Sequence, residues 1–196
     1  MMTTMDFAQH YLDEIRRQLR GHKRLAEGAL AQVTDEQLLA ILDPESNSLA
    51  ILIKHIAGNM RSRFTDFLTT DGEKPDRQRD QEFELDGEVT REALMSWWDE
   101  GWALVNRTLD SLKPDDLSRT VYIREEPHTV LQALNRALTH YAYHIGQIVF
   151  LAKHLGSHNW QSLSVPRGQS EEFNRKMIER RRQSGSASAT KATREL

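Results

Sequence analysis

Residues 130–155 read VLQALNRALTHYAYHIGQIVFLAKHL and show the clearest periodic pattern in the chain. The apolar residues of this stretch recur at intervals of three and four, which is the spacing of one face of an α-helix. Thr129 precedes the stretch and Gly156 follows it, and glycine is a common residue just beyond a helix end. We therefore predict a long amphipathic helix that follows Thr129 and runs to about Leu155.

Three further stretches have the same periodicity, and each predicts another long amphipathic helix. The predicted helices run from about Asp6 to Leu30, from Ser46 or Asn47 to near Thr69, and from just after Thr90 to Pro114. Amphipathic helices with modest connections bury their apolar faces against one another. The sequence therefore predicts an all-α fold built around a four-helix bundle.

Two short elements are predicted between the long helices. Thr34 is followed by Asp-Glu-Gln in a capping-box pattern, which predicts a short helical turn through Leu42. Residues 118–124 read SRTVYIR, and Val121 and Ile123 alternate there with polar residues. This alternation predicts one short strand or hairpin before the fourth helix.

The rest of the chain is more polar. Residues 73–88 show little periodicity, and a connection of this length is either functional or disordered. Its mix of charged residues with Phe83 favours an ordered polar loop. A short C-terminal helix is predicted from Ser170 to Arg182, with acidic residues in its first turn. The small polar residues of 184–196 predict a disordered tail, so we expect a single domain over residues 1–183.

The composition excludes several classes of protein and of site. The chain has 196 residues, a formal net charge of −3 and no cysteine. The lack of a basic excess disfavours a nucleic-acid partner, and the lack of cysteine excludes disulfides, thiolate metal sites and a cysteine nucleophile. No apolar run approaches the roughly 20 residues of a membrane helix, and the N-terminus lacks the apolar stretch of a signal peptide. We therefore expect a cytoplasmic protein without a membrane partner.

Three histidines form the candidate metal site. His140 and His144 are four residues apart, so both imidazoles lie on one helix face with Cβ atoms about 5–6 Å apart. His55 borders the apolar face of the second helix and is the natural third ligand. Three imidazoles leave at least one coordination position open, as catalytic metal sites do. The alternative is that the histidine pair occurs by chance and that His55 is a core residue with a hydrogen bond.

Two polar residues follow His55 at intervals of one helical turn. Asn59 is a candidate for orienting a water molecule or a substrate. Arg63 either holds a substrate carboxylate or pairs with Asp66 or another acid of the protein surface.

Three residues elsewhere are further candidates for the surroundings of the site. Tyr143 either donates or relays a proton or only packs its ring, and Gln147 is expected to orient a ligand histidine rather than to bind the ion. Arg167 lies in segment 164–174, which either folds over the site or only begins the C-terminal helix. The sequence leaves open whether this segment or the loop after Thr70 covers the site.

Two longer stretches resemble the DinB-like (YfiT-type) superfamily of four-helix-bundle metal-binding proteins. They are LAILIKHIAGNMRSRF, which contains His55, and LTHYAYHIGQIVFLAK, which contains the histidine pair and the Gly-Gln dipeptide that follows it. The resemblance covers roughly residues 5–156. The stretches NMRSRFTDFLTTDGEKP and SVPRGQSEEFN further resemble one uncharacterised branch of that superfamily.

The resemblance implies a metal centre and a class of chemistry. It implies nickel, zinc or a similar divalent transition metal at His55, His140 and His144, often in a homodimer. Characterised relatives transfer a low-molecular-weight thiol such as bacillithiol or use mycothiol in an isomerisation. We therefore expect a metal-dependent enzyme that acts on a small molecule, either a thiol S-transferase or a metal-assisted hydrolase. The alternative is a non-catalytic, stress-related binding module with a structural metal.

Overall fold

The computed structural model is mostly helical and contains one small antiparallel sheet. It describes residues 4–85, 87, 89–157 and 159–192, with side chains between residues 7 and 183. Two compact units are present, Met1–Trp160 and Gln161–Leu196. The helices are α1 (Thr4–Leu30), α2 (Asp35–Leu39), α3 (Leu49–Phe64), α4 (Arg91–Ser111), α5 (Val130–Leu155) and α6 (Ser170–Ala192), and the strands are β1 (Thr120–Ile123) and β2 (Glu126–Thr129). Short 3₁₀-helices span Asp80–Phe83 and Pro114–Ser118.

The core of the first unit lies among four of its helices. α1 packs along α5 and α3 packs along α4, and the two pairs meet where α3 contacts α5 and α1 contacts α4. Trp98 and Trp102 of α4 and Tyr141 of α5 are almost completely buried. Large aromatic side chains contribute much of the apolar area that stabilises a core. These contacts bring one face of α3 opposite one face of α5.

The first residues of three helices are set by side-chain caps. Ser48, Thr90 and Thr129 each accept a hydrogen bond from a backbone N–H in the first turn of the helix that follows. The Gln132 side chain accepts a hydrogen bond from the backbone N–H of Thr129 and so completes a capping box. The predicted beginnings of α4 and α5 agree with the structure.

α3 is shorter than predicted at both ends. It begins after Ser48 rather than after Ser46 or Asn47, because the Ser48 hydroxyl caps the helix and the Ser46 hydroxyl bonds to Asp43. It ends at Phe64 rather than near Thr69. Asp66 has a φ of 48°, and a residue in this left-handed region interrupts the helix. α2 likewise ends at Leu39 and not at Leu42, because the backbone of Ala40 is extended.

Of the predicted strand or hairpin before the fourth helix, the structure has the hairpin. β1 pairs with β2 in antiparallel register, with Thr120 opposite Thr129. Val121 and Ile123 are buried, as their alternation predicted. Arg124 and Glu125 form the turn at positive φ, which is strained for residues with side chains. The Asp71 carboxylate accepts hydrogen bonds from both turn N–H groups, at 2.9 and 2.7 Å, and so ties the loop after α3 to the hairpin.

The second unit contains α6. This helix begins at Ser170 as predicted but continues past the predicted end near Arg182 to Ala192. Extending an existing helix avoids the cost of nucleation, and the alanines of this stretch are strong helix formers. The expected disordered tail therefore overlaps α6, and residues 193–196 lie outside the described part of the chain. The single domain over residues 1–183 stays a prediction.

Among the residues that the structure describes, no helix combines the length and the apolar character needed to cross a membrane.

Candidate metal centre

The three predicted ligand histidines meet between α3 and α5. One ring nitrogen from each of His55, His140 and His144 lies within 4.8 Å of the other two. The Nε2 atoms of His55 and His140 are 3.3 Å apart. His55 and His144 are buried, and His140 is partly exposed. The three side chains thus form a group that could hold one metal ion.

Hydrogen bonds fix the orientation of two of these imidazoles. His55 Nδ1 lies 2.8 Å from Glu82 Oε2, and His144 Nδ1 lies 2.8 Å from Gln147 Oε1. Each acceptor is an oxygen, so each Nδ1–H donates and leaves the Nε2 lone pair free. Metal-binding histidines commonly have such an acceptor behind the ring.

Glu82 is the most constrained of these acceptors. It lies on the 3₁₀-helix Asp80–Phe83, is 7% exposed, and accepts hydrogen bonds of 2.8 and 2.9 Å from Arg77. Burial would raise the pKa of this carboxyl, but the hydrogen bonds from His55 and Arg77 and the charge of Arg77 bring the pKa below its ordinary value. Gly58 makes room for it, because a Cβ there would lie 2.5 Å from Glu82 Oε1. A fixed, ionised carboxylate therefore stands behind His55.

The other two imidazoles are neutral at neutral pH. Burial is the main cause that lowers the pKa of His140 to about 3, and repulsion from the charged forms of His144 and His55 contributes to this lowering. Burial also lowers the pKa of His144, although its hydrogen bond to Gln147 acts in the opposite direction. A neutral imidazole is the form that binds a metal ion.

The histidine cluster lines a cavity of about 740 Å³. This volume lies in the range of small-molecule sites, roughly 300–1,000 Å³. Apolar side chains and arginines make up much of the rest of the wall. The apolar residues are Phe64, Phe67, Phe83, Val121, Ile123, Ala133 and Ala137, and the arginines are Arg63, Arg77, Arg79, Arg124 and Arg136.

Asn59 and Arg63 also line this cavity, but parts of both side chains have partners in the protein. Asn59 Oδ1 accepts a hydrogen bond of 3.1 Å from the hydroxyl of buried Tyr141. Arg63 donates to Glu73 at 2.9 Å and to the carbonyl oxygen of Gly72. Arg63 thus pairs with an acid of the protein, which is Glu73, and its contact with a substrate carboxylate stays a prediction.

The remaining predicted residues differ in their placement. The Tyr143 side chain is 52% exposed and lines the cavity, with its ring centroid 4.3 Å from that of His144. Gln147 bonds to His144, in the place expected of a residue that orients a ligand. Arg167 belongs to the second unit and is exposed there, so its role at the site stays a prediction.

Sequence reasoning missed Glu82 and Arg77 as parts of the site. Both lie in the polar loop over residues 73–88, where no periodicity marks a buried side chain. The length of the loop was the available signal, since long ordered connections are often functional. Gly58 was a second signal, because a glycine inside a helix costs stability unless a close approach requires it.

A comparison with protein-family models identifies the family of this chain. No curated protein matches the chain. A family model described as "Protein of unknown function (DUF1572)" matches residues 6–169, which include the three histidines and the loop that carries Glu82. This match extends over most of the sequence, and the chain belongs to the DUF1572 family.

Proposed function

We propose that this protein is a metal-dependent enzyme that acts on a small molecule, with His55, His140 and His144 as ligands of one divalent transition-metal ion. The observation that carries the proposal is the convergence of three imidazole nitrogens at the wall of a cavity large enough for a substrate. We further propose nickel or zinc as the ion, because a site of neutral imidazoles suits both metals.

The residues around the cluster fit such an ion. Glu82 and Gln147 hold the rings of His55 and His144 with Nε2 directed away from the acceptors. When bound, a divalent ion supplies Lewis-acid chemistry and lowers the pKa of a coordinated proton donor. The protein itself contributes the cavity wall, which positions the substrate and limits access of water.

Tyr143 is the candidate proton donor of the site. Its ring lies against both His140 and His144, with centroid distances of 5.2 and 4.3 Å. Its phenol is protonated at neutral pH, because the ordinary pKa of tyrosine is about 10 and burial raises it. A protonated phenol beside the ligand histidines is suited to donate to a substrate or a leaving group. The Asn59 amide is the second candidate for contact with the substrate.

Two reaction types fit this arrangement. We propose a thiol S-transferase, in which a low-molecular-weight thiol is the second substrate, and a metal-assisted hydrolase as the other type. The resemblance of the His55 and His140–His144 stretches to DinB-like proteins supports the thiol reaction. It also supports a DinB-like four-helix bundle and a homodimer as parts of the proposal. From the composition of the chain we further propose a cytoplasmic location, with neither nucleic acid nor membrane as a partner.

Metal analysis tests the proposal directly. Protein purified without an affinity tag is analysed for metal content as wild type, as a His140→Ala, His144→Ala double variant, and as His154→Ala. His154 is exposed near the end of the same helix, so it is a matched control. We expect about one transition-metal ion per chain in wild type and in the control, and a loss of the ion in the double variant. The absence of metal from all three proteins after incubation with nickel or zinc refutes the proposal.

Activity assays separate the reaction types from the alternative. A thiol S-transferase consumes an electrophile only when a thiol is added, whereas a hydrolase needs no thiol. A non-catalytic, stress-related module with a structural metal shows neither activity and loses thermal stability sharply when the metal is removed. The open cavity beside the histidines favours the enzyme, because structural sites are closed by protein ligands.

A further inference from the structure

The wall of the cavity is positively charged. Arginine contributes five of the residues that line it, and among the described residues no aspartate or glutamate does so. Arginine favours planar anions because its guanidinium donates two parallel hydrogen bonds to a carboxylate or a phosphate. The metal proposal alone does not explain this charge.

The two inner arginines already have carboxylate partners. Arg63 and Arg77, with side chains 12% and 5% exposed, both pair with Glu73, and Arg77 also pairs with Glu82. A buried arginine needs such a partner, since an uncompensated buried charge is strongly destabilising. We therefore assign the inner pair to the structure of the cavity wall and not to ligand binding.

The three outer arginines are exposed and less completely paired. Arg124 shares Glu73 with the inner pair, at 3.3 Å. Arg79 lies 3.4 Å from Asp80, whose side chain is 98% exposed, and such a surface pair contributes little. Arg136 has no ion pair with any residue that the structure describes. The outer part of the cavity thus has one guanidinium group without an ion pair among the described residues, that of Arg136, and two that are only weakly or partly paired.

Arg136 is also well placed relative to the histidines. It precedes His140 by four residues on α5, so the two side chains leave the same face of the helix one turn apart. Both line the cavity together with Phe67 and Ile123, which give it an apolar surface. One small molecule can therefore reach the cationic group, the apolar surface and the histidine cluster together.

We propose that the cavity binds a small organic anion with an apolar body, and that Arg136 holds its anionic group while Arg79 and Arg124 add positive charge around it. The role of this anion as the substrate rests on the proposed metal-dependent function, whereas its binding does not. The anionic group is a carboxylate, a phosphate or a sulfonate, which share the charge and the oxygen acceptors that a guanidinium recognises.

A pair of matched probes tests the binding. We would titrate 2-naphthoate and the neutral 2-naphthamide into the full chain by calorimetry, using both protein as isolated and chelator-treated protein. The variants are Arg136→Gln and the control Arg107→Gln, which makes the same charge change at an exposed residue of α4 that lines a different cavity. Since Arg136 is exposed and unpaired among the described residues, its variant should melt within about 2 °C of wild type.

We expect naphthoate to bind wild type at least ~10-fold more tightly than naphthamide, in both metal states. Arg136→Gln should reduce this preference to less than ~3-fold, Arg107→Gln should retain it, and added salt should weaken naphthoate binding only. Equal affinities for the two probes, or equal effects of the two variants, would overturn the inference. If the protein never binds metal but its selectivity depends on Arg136, the anion site is supported and the proposed function fails. If the protein binds metal but shows no selectivity, the proposed function is supported and the anion site is refuted.

Discussion

Replacing Gly58 by alanine tests whether packing of Glu82 against α3 positions His55. A Cβ at residue 58 would lie 2.5 Å from Glu82 Oε1 and 2.8 Å from its carboxyl carbon. The carboxylate cannot move away freely, because Arg77 holds both of its oxygens and His55 bonds to one of them. Gly58→Ala should therefore displace the carboxylate and break at least one hydrogen bond to a charged group.

The magnitude follows from two opposing contributions. A hydrogen bond to a charged group contributes about 1.5–3 kcal/mol, whereas alanine in place of glycine within a helix stabilises by about 0.5–1 kcal/mol. We expect a net loss of about 1–2 kcal/mol for Gly58→Ala, which lowers the Tm of a chain of this size by about 2–8 °C. Metal affinity should fall about tenfold, as for other changes to the acceptor behind a ligand histidine.

Thermal melting of chelator-treated protein measures the first effect, and calorimetric titration with zinc measures the second. Gly21→Ala is the matched control, since no atom lies within 4 Å of a Cβ at that position of α1. The control should raise the Tm by about 1–4 °C. In a Glu82→Ala background, Gly58→Ala should become stabilising as well. If Gly58→Ala raises the Tm of the wild-type protein as much as the control does, the inferred packing of Glu82 is wrong.

Three further predictions concern the same site. Glu82→Gln keeps the shape but removes the charge, so zinc affinity should fall about 10–100-fold in calorimetric titration; an unchanged affinity would contradict the orienting role. Burial lowers the pKa values of His140 and His144 in the folded chain, so their contribution to stability is present above the unfolded value of about 6.5 and is lost as the pH falls below it. The urea concentration at the unfolding midpoint of chelator-treated protein should therefore fall between about pH 7 and pH 5, and it should fall less in the His140→Ala variant. An equal fall in wild type and variant would count against this cause. Tyr141→Phe removes the hydroxyl that donates to Asn59 and should cost about 1 kcal/mol in urea unfolding, whereas no loss would mean that the bond is dispensable.

The sequence predicted those parts of the fold that local patterns determine. α5 has a capping threonine, a periodic apolar face and a glycine after its last turn, and its structure agrees with the prediction. The paired histidines of α5 are likewise a local pattern, because a spacing of four fixes their common face. His55 was found as a third member from its position on an apolar face, although only tertiary packing could show that the three rings meet.

The end of α3 shows where local patterns fail. The apolar residues continue past Phe64 to Phe67, and the periodicity therefore predicted a helix to near Thr69. In the structure the Phe67 ring stacks on that of Phe64, with centroids 5.5 Å apart, although the helix has ended. Packing of an aromatic ring against its neighbours produces the same sequence pattern whether the backbone is helical or turns back on itself.

The polar loop links the two proposed properties of the cavity. Glu82 orients His55, Phe83 packs its ring 4.6 Å from that of His55, and Arg79 lies 5.0 Å from the Phe83 ring. One short segment thus carries the carboxylate behind a ligand histidine, part of the apolar wall and one outer arginine. Any displacement of this segment must change the orientation of His55 and the position of the Arg79 charge together. Substitutions in the loop should therefore alter metal affinity and anion affinity together, whereas a substitution of Arg136, on α5, should alter anion affinity alone.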